Sequence, residues 1–433
     1  MKTQCIAGLA ALALGGFARG DDLATLFREA LANNAQFNSA QAQYDAVKER
    51  VPQGIAALLP AITASANTTW NHNVSNTLGL QDYNSNGWLV TLTQPLWRVQ
   101  SGVALDQAYS GRDQAKALLE QARQDLAIRT AQAYFDVLYA RDALSTFRAQ
   151  RAADLQQQEQ AQRSFDIGTA TITDVRDAKA RYDLVSAQEV SAVNDVASKT
   201  NVLRQIIGRD PGPLEPLRDG VVLMSPQPES LAPWERSAET NNASVVAGEA
   251  AVETARLEAK KARSARLPTI DLVATRGYNK SATTITVGTE NQGNTIGLQF
   301  AVPIDVTGGT SAKEREALNL QKKANADLLD ARRTGVLAAQ QAYLGATSGI
   351  AQVRALEEAL KSAQVALQSN KRGLEIGSRI NIDVLNAQQQ VSATERDLAK
   401  ARYDTLMSLL RLKGAVGSLG DSDIDELNNL LAK

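Results

Sequence analysis

The sequence predicts an α+β membrane protein in which long coiled-coil helices alternate with two long β-hairpins, with one structural unit occurring twice. Two observations support this class. The stretch FDIGTATITDV at 165–175 returns as LEIGSRINIDV at 374–384, an offset of 209 residues. Two segments, at about 60–98 and 268–306, change from helical periodicity to the alternation of apolar and polar residues that is typical of strands. A period this long indicates a single internal duplication rather than an array of short repeats.

The duplication runs through both halves of the chain. Other pairs keep nearly the same offset: Leu59-Pro60 with Leu267-Pro268, Asn33-Asn34 with Asn241-Asn242, and Ala133-Tyr134 with Ala342-Tyr343. Gly168 and Gly377 each end a helical pattern, and in each copy Thr or Ser followed by an acidic residue then opens the next helix. We therefore expect each glycine to lie at the tip of a long antiparallel helical hairpin.

The order of segments predicts five regions. Residues 1–20 have the features of a signal peptide: Lys2, an apolar run and small residues before Asp21. The first repeat covers 21–210, a connector with six prolines covers 211–233, the second repeat covers 234–417, and a C-terminal helix covers 418–433. Cys5 lies within the signal, so the mature chain has no cysteine. No later stretch approaches the 18 consecutive apolar residues of a transmembrane helix.

Long helices are predicted between the strands. Helical patterns cover about 22–57, 101–165, 173–207, 311–374 and 382–416. The fourth carries Val353, Leu356, Leu360, Ala363 and Leu367 at spacings of three and four, which is coiled-coil periodicity.

Four strands of about 10–16 residues are predicted, long enough to cross a membrane when tilted. In the first hairpin Ile62, Ala64 and Ala66 form one apolar row and Trp88, Val90 and Leu92 another, separated by a loop predicted from Thr77 to Asn86. The second hairpin has matching rows, Ile270 to Tyr278 and Ile296 to Val302. The alternative is a soluble sheet that packs on a helix.

Four amphipathic strands in lipid cannot close on themselves, so the sequence also predicts an oligomer. Two chains would give eight strands with a filled interior, whereas three give twelve strands and leave a lumen. Because the inner face is rich in Thr and Asn, we favour a homotrimer with a 12-stranded β-barrel.

The sequence resembles the TolC family of outer-membrane efflux and secretion channels over essentially the whole mature chain. The most specific stretches are TITDV at 171–175, ARYD at 180–183, LRQI at 203–206, RLPT at 266–269 and IDVL at 382–385. The resemblance implies a long α-helical coiled-coil barrel continuous with the β-barrel. It also implies location in the outer membrane of a Gram-negative bacterium, with the helices projecting into the periplasm. The implied partners are a periplasmic adaptor (membrane fusion protein), an inner-membrane pump that is ABC-type or proton-driven, and outer-membrane lipid.

By position, the resemblance assigns a periplasmic gate to Thr173, Asp174 and Arg379. Leu374 stands where close relatives have a gate tyrosine, so closure should rest more heavily on Arg379 reaching Asp174 and Thr173 of a neighbouring hairpin. A cation-attracting ring in the lumen is assigned to Asp383. Its expected partner carboxylate is Asn386 here, and Asp177 is a candidate replacement.

The tips at Gly168 and Gly377 are expected to dock the adaptor. Each gate or ring carboxylate also has a simpler interpretation, as a charge that stabilises a helix N-terminus.

Other function classes find little support in the sequence. The formal net charge of −1 gives no reason to expect nucleic-acid binding. The single histidine, His72, cannot build a zinc site, and no nucleophile–base pair or phosphate-binding loop occurs, so we expect no enzyme, cofactor or metal. The remaining alternative is a periplasmic coiled-coil adaptor or a structural spacer of the envelope.

Overall fold

A computed structural model describes residues 21–75, 79–218, 220–281 and 289–432. The elements are α1 Leu23–Asn33, α2 Ala35–Lys48, α3 Arg50–Ala56, β1 Ala61–Ser75, β2 Gly79–Trp97, α4 Val99–Asp166, α5 Ile172–Ile207, α6 Leu231–Asn241, α7 Ala243–Ser264, β3 Thr269–Ser281, β4 Thr289–Ala301, α8 Gly309–Glu375, α9 Asn381–Ala415 and α10 Asp421–Asn428. The predicted signal peptide, including Cys5, lies outside the described residues. No helix in the described part of the chain combines the length and apolar character of a membrane span.

The helical pattern predicted over 22–57 is confirmed, and it is divided into three helices, α1 to α3. Asn34 separates the first two: its Oδ1 accepts hydrogen bonds from the amides of Gln36 and Phe37, both at 3.1 Å. Its counterpart Asn242 caps α7 by accepting a 2.9 Å bond from the amide of Ser244. A side-chain oxygen that satisfies the free amides of a helix N-terminus favours a new helix there. The repeated asparagine pair is therefore a helix break in both copies.

The strands form one antiparallel sheet in the order β1-β2-β3-β4. The predicted loop from Thr77 to Asn86 is wrong for most of its length, because β2 begins at Gly79. Asn and Ser are poor strand formers on average. Here their side chains bond across the strands: Asn84 Nδ2 donates to Thr68 Oγ1 at 2.9 Å, and Asn71 Nδ2 donates to Ser85 Oγ at 3.1 Å.

The strand register places the predicted apolar rows on one face of the sheet. One row crosses all four strands as Ile62, Leu92, Ala274 and Ile296, each opposite the next. The adjacent row, which points to the other face because strand side chains alternate, is Thr63, Thr91, Thr275 and Thr295. The sheet therefore has one apolar and one polar face.

Contacts divide the chain into two units, each built from segments of both copies. The first consists of the described parts of Met1–Asn38, Arg123–Glu235 and Ala338–Lys433. Its core contains the buried rings of Tyr134, Phe135 and Tyr403, of which the last two stack at 5.6 Å between centroids. The Tyr134 hydroxyl donates to the carbonyl of Glu215 at 2.7 Å, and its counterpart Tyr343 donates to the carbonyl of Glu229. Equivalent tyrosines thus hold two points of the proline-rich connector.

The first unit also contains the predicted seam between α8 and α9. Val353 and Leu367 are buried, and Leu367 packs with Val384 and Val391 of α9. This confirms the coiled-coil periodicity predicted along α8.

The second unit consists of Ser39–Ala122 and Arg236–Leu337, apart from the residues that the structure does not describe, and contains the sheet. A bidentate ion pair joins the start of α4 to the start of β3: Arg98 Nε and Nη2 donate to the two carboxylate oxygens of Asp271 at 2.8 and 2.6 Å. Asp271 is buried. Because two parallel bonds fix a guanidinium against a carboxylate in one geometry, the pair sets the direction in which α4 leaves the sheet.

Candidate functional site

The two hairpin tips have the same backbone conformation. Gly168 and Gly377 lie in the left-handed region, with φ of 79° and 76°. In the first tip the amide of Thr169 donates to the carbonyl of Ser164, and in the second the amide of Ser378 donates to that of Gly373, both at 2.8 Å. This is the pattern in which glycine terminates a helix at lowest steric cost. The prediction that both glycines end helices at a turn is confirmed.

Asp174 is held in a capping box at the start of α5. Its Oδ2 accepts bonds from the amide and the hydroxyl of Thr171, each at 2.8 Å. In return, Thr171 Oγ1 accepts a 3.2 Å bond from the amide of Asp174. Thr173 is exposed beside this box. One oxygen of the predicted gate carboxylate is therefore already engaged in holding its own helix.

The second tip lacks such a cap. Ile380 occupies the N-cap position of α9, where the sequence suggested Thr or Ser, and it has no side-chain oxygen to bond the free amides. Asp383 Oδ2 accepts only a long bond, 3.4 Å, from the amide of Ile380. The same oxygen lies 3.8 Å from Arg379 Nη1. The charges of Arg379, just before α9, and Asp383, in its first turn, are therefore paired only loosely.

Gly373 makes room for Arg379. A Cβ at Gly373 would lie 2.6 Å from Arg379 Cγ, closer than two carbon atoms can approach. Ser164 occupies the same place in the first copy, and the residue matching Arg379 there is Ala170. The second tip thus differs from the first by a glycine and an arginine that fit together.

Leu374 is part of the apolar contact between α8 and α9 and, having an apolar side chain, makes no hydrogen-bonded link between hairpins. It packs, partly buried, against the group formed by Leu367, Val384 and Val391. On the surface of the same hairpin lies a depression of about 400 Å³. Its lining includes three residues singled out by the sequence, Arg379, Asp383 and Asn386.

The two hairpins of the chain meet just behind their tips. Leu385 of α9 packs with Val175 and Ala178 of α5. One turn further along α5, Arg181 Nη2 donates to Asn386 Oδ1 at 2.7 Å, and its Nη1 donates to Gln389. The spacing 175, 178, 181 defines one face of a helix. That spacing could have identified Arg181, which the sequence reasoning did not assign to the site.

Asn386 is therefore bonded by Arg181 and not by Asp177. Asp177 is exposed on α5, and no hydrogen bond or ion pair between described residues joins it to Asn386 or Asp383. Within this chain the structure groups Arg379, Asp383 and Asn386 on the second hairpin. It places Thr173, Asp174 and Asp177 on the first.

A buried carboxyl lies deeper in the first hairpin. Asp154 of α4 is 3% exposed, and its Oδ2 has no hydrogen-bond partner among the described residues. Burial raises the pKa of this carboxyl to about 6, while the charge of Arg181 and a bond with Gln150 act in the opposite direction. Near neutral pH the carboxyl is therefore ionised at a cost in folding stability.

The apolar face of the sheet is the second candidate site, because it is open. Ile296, Leu298 and Phe300 of β4 are 76%, 69% and 65% exposed. Ile62 and Trp70 of β1 are exposed on the same face. A contiguous apolar surface of this kind indicates contact with lipid or with another protein.

Comparisons with known proteins match both copies. A family model described as outer membrane efflux protein matches residues 26–209 and 234–418. The chain is 32% identical over 412 residues to outer membrane protein TolC of Vibrio cholerae, covering 94% of this chain and 93% of that protein. It is 30% identical over 419 residues to alkaline protease secretion protein AprF of Pseudomonas aeruginosa, covering 92% and 84%. A solved membrane protein from Pseudomonas aeruginosa has the same fold, with a TM-score of 0.81 at 18% identity over 92% of this chain and 91% of that one.

The buried Asp154 predicts a pH-dependent stability. Because its folded-state pKa lies above the ordinary value of 3.8, the contribution of Asp154 to stability is most favourable below about pH 4 and is lost as the pH rises through about 6. Asp154→Asn keeps the side-chain size and removes the charge. It should raise the midpoint of thermal unfolding at pH 7.5 by the equivalent of about 1–3 kcal/mol, and this gain should shrink below pH 6 and approach zero below pH 4.

Circular dichroism melts across pH 3.5–7.5 measure this effect. Asp177→Asn, which removes an exposed carboxylate from the adjacent helix, is the matched control and should leave the midpoint nearly unchanged. An equal gain for Asp154→Asn at every pH would contradict the account of a buried charge.

Proposed function

Because the chain belongs to the outer membrane efflux protein family, we propose that it is the exit duct of an export system in a Gram-negative envelope. It lies in the outer membrane, projects into the periplasm, and carries drugs, secreted proteins or both as part of a tripartite efflux or type I secretion system. The description of the family, outer membrane efflux protein, supports efflux, and the name of one relative, alkaline protease secretion protein, supports secretion. The alternative of an adaptor or spacer is set aside, since the matches span both copies.

The observation that carries this proposal is the two-faced sheet. An apolar row crosses all four strands on one face, and a row of four threonines crosses them on the other. In an outer-membrane barrel the apolar face contacts lipid and the polar face lines water. The strands have 13–19 residues, more than the roughly 9–11 that span the hydrocarbon.

The sheet also favours a homotrimer. β1 and β4 are its edge strands, and each presents backbone groups that only another chain can pair in lipid. Three copies supply twelve strands, and a barrel of twelve strands has an open lumen. The interior of an eight-stranded barrel is filled by side chains. Three copies of the two helical hairpins, α4–α5 and α8–α9, form the periplasmic helical barrel.

The adaptor docks at the hairpin tips around Gly168 and Gly377. Directly before these glycines, Ile167 and Ile376 are 77% and 80% exposed. These two side chains are equivalent, apolar and exposed to water. They therefore suit a partner that binds both hairpin tips in the same way. An inner-membrane pump, ABC-type or proton-driven, then supplies the energy, and the duct itself needs no cofactor.

The gate lies at the periplasmic end of the duct. Arg379 reaches Asp174 and Thr173 of a neighbouring chain through donors that Asp383 does not use, since a guanidinium has five. Asp383 forms the cation-attracting ring. Because Arg181 already bonds Asn386, the ring depends on Asp383, and Asp177 adds a carboxylate only where neighbouring chains meet. Leu374 contributes apolar packing and no hydrogen bond to closure.

The proposal predicts opposite outcomes for two neighbouring residues of β4. Leu298→Arg places a charge on the lipid face, at a cost of about 2–4 kcal/mol near the membrane midplane, whereas Gln299→Arg places it in the water-filled lumen. Outer-membrane fractionation and heat-modifiable migration in detergent should show loss of assembled protein for Leu298→Arg only. Equal assembly of both variants, or recovery of the wild type from the soluble periplasm, would refute the proposed location.

The gate assignment predicts a distinct effect for Arg379. Arg379→Ser should raise single-channel conductance in planar bilayers and admit large antibiotics such as vancomycin, because it removes a closing link. It should also increase cation preference, since Asp383 loses its nearby positive charge. Asp383→Ala should reduce that preference, and Asp383→Glu should preserve it.

Leu374→Met, which keeps volume and apolarity, is the control and should leave conductance unchanged. Raised cation preference without raised conductance in Arg379→Ser would mean that Arg379 only neutralises Asp383. That result would remove Arg379 from the gate.

A further inference from the structure

Arg276 is a charged residue on the face of the sheet that carries the apolar rows. Along β3 it lies on the same face as Leu272, Ala274 and Tyr278. Its side chain is exposed, and no hydrogen bond or ion pair to it occurs among the described residues. A guanidinium on a lipid-facing surface is costly unless it has an anionic or aqueous partner.

A neighbouring chain cannot cover Arg276 by strand pairing. β3 is an inner strand, with β2 on one side and β4 on the other. Arg276 lies opposite Val90 of β2 and Asn294 of β4. Association through the edge strands β1 and β4 therefore leaves this side chain facing outward.

The carboxylates nearest the hairpin turns are already paired. Glu290 Oε1 accepts a 2.7 Å bond from Lys280 Nζ, and Asp82 Oδ1 lies 2.6 Å from His72 Nδ1. The sequences 76–78 and 282–288, which connect the strands of each hairpin, contain no acidic residue. Among the described residues, the carboxylates at this end of the sheet, Asp82 and Glu290, therefore already have partners other than Arg276.

Arg276 lies where the apolar face ends. Towards the far end of the hairpins, the unbroken apolar series on this face ends at Ile296 on β4 and at Trp88 on β2. Polar residues follow on both strands, before Val74 and Leu80 pair at the ends of β1 and β2. Because Ile296 is in register with Leu92, the boundary on β2 lies four residues further along than on β4, as strands tilted in a membrane require. Tyr278 and Trp88, which lie opposite each other, sit on this boundary next to Arg276. Aromatic residues in this position mark the level of the lipid headgroups.

The connectivity identifies the leaflet. All four strands join helices at one end, and the turns lie at the other end. Under the proposed function the helices are periplasmic, so the turn end, and with it Arg276, lies at the outer leaflet. The lipid of that leaflet is a phosphorylated saccharolipid.

We propose that Arg276 binds a phosphate of the outer-leaflet saccharolipid, with Trp88 and Tyr278 packing against its sugar and upper acyl chains. This inference rests on the proposed function. A guanidinium matches phosphate through two parallel hydrogen bonds. The aromatic rings and the apolar rows below them recognise a lipid rather than a free anion, because inorganic phosphate gains nothing from apolar surface. Each protomer presents one such site.

The test measures lipid binding to the purified full-length protein in detergent by native mass spectrometry. The probes are diphosphorylated lipid A, the same lipid after enzymatic removal of its phosphates, and inorganic phosphate. Arg276→Gln should weaken binding of diphosphorylated lipid A by tenfold or more. Lys280→Gln, which removes a cation already paired with Glu290, is the matched control and should change binding less than threefold. The dephosphorylated lipid should bind the wild type as weakly as lipid A binds Arg276→Gln.

Equal binding to wild type and Arg276→Gln, or equal binding of both lipids, would overturn the site. If inorganic phosphate displaced lipid A when present at the same concentration, the site would bind free anions, and this would also overturn the lipid site. Bilayer conductance of each variant separates this failure from failure of the proposed function. A wild type that does not conduct contradicts the channel, whereas conducting variants with unchanged lipid binding contradict only the lipid site.

Discussion

The open edges of the four-stranded sheet constrain the rest of the molecule. β1 and β4 each carry a row of backbone donors and acceptors without a partner strand in the described chain. In water such edges promote aggregation, and in lipid each unpaired group costs several kcal/mol. The apolar face can therefore enter a membrane only when further copies close the sheet. The same symmetry then applies to the helical hairpins, because α4 and α8 follow β2 and β4 with few intervening residues.

Duplication supplied two hairpins that later diverged at their tips. The first tip keeps a satisfied capping box between Thr171 and Asp174. The second tip has Ile380 at the cap and places Arg379 over Gly373, where a side chain would not fit. One hairpin is thus locally complete, while the other has charged groups with unused hydrogen-bonding capacity. This asymmetry is what a gate needs, since the free donors of one hairpin can engage a neighbouring chain and release it.

Much of this fold could be predicted because its signals are local. The alternation of apolar and polar residues predicted which side chains share a face of each strand. Gly168 and Gly377 predicted the positions of the hairpin tips. Where prediction failed, nonlocal contacts decided the outcome: Asn84 lies in a strand because Thr68 across the sheet bonds it, despite its low strand propensity. Arg181 was missed because its partner Asn386 lies 205 residues away. The roles of Arg379 and Asp383 stay predictions, since they depend on neighbouring chains.

Closure of the sheet between chains is tested most directly by disulfide trapping of the two edge strands. β1 and β4 are not neighbours within one chain, so a bond between them can form only between protomers. The mature chain, taken to begin at Asp21, has no cysteine of its own. Pairs introduced on the polar face, with one cysteine at Thr63 or Ser65 and the other at Gly297 or Gln299, should give dimers and covalent trimers in the outer membrane under mild oxidation. The matched single variants should give none. A ladder that stops at dimers, or monomers for every pair, would contradict a sheet closed by three chains.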